Sequence, residues 1–175
     1  MITNIFFKSK KFLASLMLIL LSANLTYAVE KGEKSMGFRG GYTTNNQSAV
    51  AGIYFQYAFS SHFRIAPDVS YTFRNNGTDA YSINLNAHVP FSFSENRFAF
   101  YPLAGLDYTS WNIRGRKELD ENDDAKSRVD RLGFNIGAGI EYYAKPTLKL
   151  ALETKYRAMR DFGSGVFTVS IGYIF

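Results

Sequence analysis

The sequence predicts an all-β fold, an eight-stranded antiparallel up-and-down transmembrane β-barrel, and three observations predict it. Apolar and polar residues alternate with a period of two through eight segments, most of them about ten residues or longer, whereas strands of soluble proteins run about five to six. After Glu33 no stretch repeats apolar residues at helical spacing. The connections alternate between tight turns and mostly longer polar loops, so three turns gather at one end and four loops at the other.

Along the 175-residue chain, the first element is not part of the barrel. Lys8, Lys10 and Lys11 are followed by an apolar run over 12–21 and then by small residues ending at Ala28. That layout is a secretory signal peptide, 1–28, which leaves 29–175 as the barrel domain. The apolar run is about ten residues, and a membrane-spanning helix takes about 20. Removing the segment takes three of the 20 Lys and Arg and none of the 15 Asp and Glu, so the net charge falls from +5 to near +2. The basic balance of the whole chain therefore gives no argument for nucleic acid as a partner. With no cysteine present, neither disulfides nor an acylated cysteine can contribute.

The strands are expected over 36–44, 49–59, 63–74, 80–93, 98–113, 129–144, 148–160 and 166–175. Turns fall at 60–62, 94–97 and 145–147, and loops at 45–48, 75–79, 115–128 and 161–164. In the fourth segment Tyr81, Ile83, Leu85, Ala87, Val89, Phe91 and Phe93 share one face, with Ser82, Asn84, Asn86, His88 and Ser92 on the other. The sixth sets Leu132, Phe134, Ile136, Ala138, Ile140 and Tyr142 against Arg131, Gly133, Asn135, Gly137, Gly139 and Glu141. In the seventh, Leu148, Leu150 and Leu152 oppose Lys149, Glu153, Lys155 and Arg157, and in the eighth Phe167, Val169, Ile171, Tyr173 and Phe175 oppose Thr168, Ser170 and Gly172.

Volume says which face looks outward. The apolar phase carries about twenty aromatic rings, too bulky for an eight-stranded barrel whose interior is just wide enough for ordinary side chains. Aromatics also gather at strand ends. Tyr57, Phe59, Phe63, Phe91, Phe93, Phe98, Phe100, Tyr142, Tyr173 and Phe175 lie toward the turns, and Tyr42, Tyr71, Phe73, Tyr81, Tyr108 and Phe167 toward the loops. Two such belts around an aliphatic band match the two interfaces of a bilayer, whereas a secreted soluble barrel would need a polar outer face. Pro67, Pro90 and Pro102 fall inside strands, and a closed barrel has no edge to excuse a missing N–H, so a bulge or frayed pairing is expected near the turn end.

The signal segment, the eight alternating strands, the glycine-rich polar phase of GFNIGAGIEYYA and the final strand ending in Phe resemble the small outer-membrane β-barrel domain family of the OmpA transmembrane-domain and OmpX-like type. The resemblance covers nearly all of 29–175 and implies location in the cell outer membrane of a Gram-negative cell. It also implies that Ile171, Tyr173 and Phe175 form an insertion signal read by the barrel-assembly machinery. The family's periplasmic peptidoglycan-binding domain is not expected here. Outer-membrane lipid and lipopolysaccharide are the surroundings such a barrel implies.

The inward charges expected from the alternation are Arg39, Arg64, Asp68, Arg74, Asp107, Arg131, Glu141, Lys149, Glu153, Lys155 and Arg157. In so narrow a lumen they are expected to form an ion-paired network that fills the barrel, since unpaired charge away from water is costly. A narrow ion or small-solute channel is the alternative, although eight strands leave no continuous aqueous path. An outer-membrane lipid-modifying enzyme is a second alternative, and acyl transfer would need a nucleophile, a base and an orienting group together at the loop end. The two histidines do not supply them, because His62 lies in a turn and His88 points inward near the turn end. In the long loop Asp120, Asn122 and Asp124 match the first ligand positions of an EF-hand, but Ala125 stands where Gly is needed and Arg131 where the bidentate Glu belongs. No cofactor, metal or catalytic residue is expected. The reading is a non-enzymatic barrel of structural or surface-binding type with its loops available for contact.

Overall fold

The computed structural model describes residues 29–94, 97–114, 126–160 and 162–175. The expected signal peptide, 1–28, and the loop residues Asp120, Asn122 and Asp124 lie outside the described residues. The described chain is built of β1 (Lys34–Thr43), β2 (Ser48–Ser60), β3 (Phe63–Asn75), β4 (Thr78–His88), β5 (Phe91–Phe93), β6 (Phe98–Arg114), β7 (Lys126–Lys145), β8 (Leu148–Met159) and β9 (Ser164–Ile174). β4 and β5 both pair with β6, as two parts of one barrel strand interrupted at Val89 and Pro90, so the sheet has eight staves. Every pairing is antiparallel, and β1 pairs with both β2 and β9, which closes the sheet on itself.

The registers fix the shape of the barrel. Tracing partners from Lys34 through Tyr57, Ile65, Ala87, Ala104, Ile136, Tyr156 and Gly165 returns to β1 beside Thr44, whose N–H donates to the Gly165 carbonyl. The circuit thus ends ten residues from its start, a stagger that tilts the strands steeply. Eight strands about 4.8 Å apart and tilted by about 40° give a backbone radius of about 8 Å, which side chains from opposite walls can bridge.

The prolines mark the defects. The Val89 N–H donates to the Pro102 carbonyl at 3.1 Å, but Pro102 has no N–H to return to Val89, and β4 ends there. Because bonding alternates along an antiparallel strand, the N of Pro67 points at Phe55 of β2. The β2–β3 ladder accordingly lacks the pairs Phe55–Pro67 and Gln56–Ala66, although its register is unchanged from Tyr54–Asp68 to Tyr57–Ile65. The expected fraying therefore sits at the positions where a donor is missing.

Outside the barrel the wall is apolar. Phe38 is 70% exposed, Leu132 76% and Phe134 68%, with Ile53, Ile83, Leu152 and Val169 on the same surface. Ring contacts run round the turn end: Tyr57–Phe59 at 4.8 Å, Phe59–Phe63 at 6.0 Å, Phe93–Phe98 at 5.7 Å, Phe98–Tyr142 at 5.0 Å and Tyr173–Phe175 at 6.3 Å. Tyr71 meets Phe73 and Tyr81 at the loop end. Strand ends shift from expectation by up to three residues, most at the long loop, where β7 begins at Lys126 and pairs with Arg114 of β6, which shortens the loop.

Candidate functional site

The inward phase of the strands brings buried charges together inside the barrel. Of the eleven expected there, nine are buried: Arg39, Arg64, Asp68, Asp107, Glu141, Lys149, Glu153, Lys155 and Arg157. Five of these are cations and four are carboxylates. The fifth carboxylate is Glu33, just ahead of β1, whose Oε1 lies 3.5 Å from Lys149 Nζ and whose side chain is 10% exposed. Burial raises the Glu33 carboxyl above its ordinary pKa, against the opposing pull of Lys149 and Arg64.

Nearest the turns, Arg64 of β3 reaches across to Glu141 of β7 through two bonds, Nη1 to Oε2 at 2.7 Å and Nη2 to Oε1 at 2.8 Å. Both side chains are 1% exposed. This fork-on-fork geometry satisfies two donors and two acceptors at once, which a buried pair needs if attraction is to offset desolvation. Lys149 Nζ lies 3.6 Å from Glu141 and donates to Gln56 Oε1 at 2.6 Å. The Tyr143 hydroxyl donates to Glu141 at 3.3 Å. His88 accepts at Nδ1 from Arg64 Nε at 3.2 Å and stacks on Tyr101 with centroids 4.5 Å apart.

In the middle, Arg39 Nη1 donates to Asp68 at 3.2 Å and to Glu153 at 3.3 Å, joining β1 to β3 and β8. Lys155 Nζ stands 3.7 Å from Asp68 and 3.9 Å from Glu153. Asp68 also accepts from Asn84 and Asn86, whose side-chain oxygens in turn accept from Asn135 Nδ2 at 2.8 and 3.0 Å. Toward the loops Arg157 Nε lies 3.0 Å from Asp107, which accepts from Thr109 at 2.6 Å. Above that level apolar side chains join the polar ones inside: Val50, Ala80, Trp111, Met159 and Val166 are buried beside Thr43, Thr72 and Ser164, and Trp111 stacks on Phe162 at 5.2 Å.

Two expected members are not in this network. Arg74 is turned outward by a register shift between Thr72 and Asn75, so its side chain is 45% exposed and pairs at the rim with Asp79 at 2.8 Å. Arg131 keeps the inward phase but stands at the loop end, half-buried, with its guanidinium over the Phe162 ring at 5.9 Å and Nη1 donating to the Asp130 carbonyl. Ile171, Tyr173 and Phe175 lie on the outer wall, all exposed.

Two inward aromatic residues were not among those expected in the interior. Tyr54 and Tyr101 are buried among the charges, with Arg39 over the first ring at 5.0 Å and Arg64 over the second at 4.8 Å. Glycines make the room. Tyr101 pairs across the strand with Gly139, where a Cβ would fall within the tyrosine ring, and its hydroxyl passes over to donate to Glu153 at 3.0 Å. Tyr54 lies likewise over Gly37 and Gly172, at the second of which a Cβ would meet its hydroxyl. Strict parity was the available signal, since Tyr101 shares its phase with Asp107 and Tyr54 with Gln56.

Among the described residues no group of three or more His, Asp or Glu could hold a metal. His62, in the turn after β2, has its Nδ1 3.1 Å from the Ser61 hydroxyl, and His88 is deep at the turn end, so neither lies near the loops.

Known structures share this architecture. The N-terminal β-barrel domain of Pseudomonas aeruginosa OprF is 17% identical, with a TM-score of 0.64 over 84% of this chain and 100% of that one. Ail, the attachment invasion locus protein of Yersinia pestis, is 16% identical at a TM-score of 0.59, covering 83% of this chain and 99% of its own. Neisserial surface protein A is 14% identical at 0.64, covering 82% and 96%. No curated protein matches the sequence. The family model described as outer membrane protein beta-barrel domain matches residues 11–175. With its closed eight-stave barrel and apolar outer wall, the chain belongs to the outer membrane protein β-barrel domain family.

Proposed function

We propose that the protein is a closed structural barrel of the outer membrane, non-enzymatic and non-conducting, that holds its loop end at the cell surface for contact. The observation that carries this reading is the Arg64–Glu141 pair, which spans the interior between β3 and β7 and is braced by Lys149 and Tyr143. A second bridge from Arg39 to Asp68 and Glu153 lies above it, and the Trp111–Phe162 stack above that. A hydrated ion would have to part all three, exposing buried charge at each level. The outer wall meets membrane lipid, with lipopolysaccharide around the loop end.

Planar-bilayer recording tests the reading. The purified barrel is expected to give no discrete conductance steps above the lipid baseline, and reproducible steps from the wild-type protein would support the channel alternative instead.

A further inference from the structure

A recess of about 820 Å³ opens at the turn end of the barrel, between the segment before β1, the turns after β5 and β7, and the end of β9. Its lining is divided. Lys31, Arg97 and Lys145 supply three exposed cations, none of which takes part in an ion pair among the described residues. Glu33 also lines it, already opposed by the buried Lys149, which among the described residues leaves Glu30 and the α-carboxylate of Phe175 against three cations. Unlike the balanced interior, the described residues of this rim carry an excess of one positive charge.

The other half of the lining is apolar and belongs to the membrane-facing wall. Tyr142 and Phe175 are both exposed, and both belong to the ring contacts at the turn end, Tyr142 against Phe98 and Phe175 against Tyr173. An aromatic belt sits at headgroup depth, so the cations stand at the polar edge of the same leaflet. A ligand that fits must be anionic at one end and apolar at the other, and must approach from the bilayer.

We propose that this recess holds the phosphate-bearing headgroup of an anionic phospholipid from the turn-side leaflet. Lys31, Arg97 and Lys145 surround the phosphate, and the acyl chains run along Phe175 and Tyr142. The proposal rests on the barrel's membership in its membrane family, and it is independent of whether the interior conducts.

The test is an amide NMR titration of the folded barrel in zwitterionic micelles, with short-chain phosphatidylglycerol as probe. Phosphatidylcholine of the same chain length and inorganic phosphate form separate arms. Phosphatidylglycerol is expected to shift the amides of 31–33, 97 and 143–145 at a midpoint well below that of phosphatidylcholine. The triple variant Lys31→Gln, Arg97→Gln, Lys145→Gln is expected to raise that midpoint by about tenfold or more. Heat-modifiable gel migration of the variant shows that its barrel is intact. Equal midpoints for the two lipids, or an unchanged midpoint in the folded triple variant, would overturn the proposal. Inorganic phosphate saturating the same amides at the same concentration would overturn the lipid assignment in favour of a free anion.

Discussion

At the scale of single residues, the interior depends on charges that satisfy one another. Replacing Arg64 by Leu would leave Glu141 buried with only Lys149 and Tyr143 to answer it. Removing one member of such a buried pair costs about 3–5 kcal/mol. The expected outcome is a loss of that size in urea unfolding of the vesicle-embedded barrel for either Arg64→Leu or Glu141→Leu, and a smaller loss for the double variant. Losses in the double variant equal to the sum of the singles would show that the two residues do not act as a pair. Nine of these charges were legible because alternation assigns a face to every strand residue. Glu33 was not, because it precedes the first strand and periodicity has no hold on it. Arg74 was misplaced because a register shift just before it breaks the alternation, and nothing in the local sequence marks that shift. Tyr101 and Tyr54 were legible by parity, while the space each ring fills, vacated by a glycine on the neighbouring strand, was not.

At the scale of elements, strand existence and order were readable, and the ends were not. Long alternating runs bounded by turn residues gave every stave, since lipid demands an unbroken apolar phase. The outward growth of β6 and β7 to Arg114 and Lys126 lies at the tip of the loop end, where a two-stranded extension has no core to impose alternation, and so left no periodic trace. The prolines were readable in effect because the missing donor is a covalent fact. Pro102→Ala would restore an N–H facing the Val89 carbonyl and join β4 to β5. The expected gain is that of one backbone hydrogen bond, about 0.5–1.5 kcal/mol. Hydrogen exchange would show residue 102 of that variant protected like its neighbours, and an amide exchanging as fast as one in the turns would refute the assignment.

At the scale of the whole molecule, the barrel inverts the usual arrangement of a soluble protein. Its buried residues are mostly polar, among them Arg64, Asp68, His88, Glu141 and Lys149, while Phe38, Leu132, Phe134 and Ile136 stand among its most exposed. In water that distribution would expose a continuous apolar surface far larger than a monomer tolerates, and in a bilayer it is the stable one. The inversion was legible because about twenty rings cannot fit within a radius of about 8 Å, a conclusion from volume that periodicity cannot supply. The stagger of the strands was not legible, because it is set by closure of the ring and not by any one hairpin.

The measurement that tests this inversion most directly is paramagnetic relaxation of methyl resonances by a spin label carried on a lipid acyl chain. The account predicts strong broadening of Ile53, Ile83, Ile136 and Leu152, with Ala66, Ala151 and Val50 spared. Broadening of the second set with sparing of the first would contradict it.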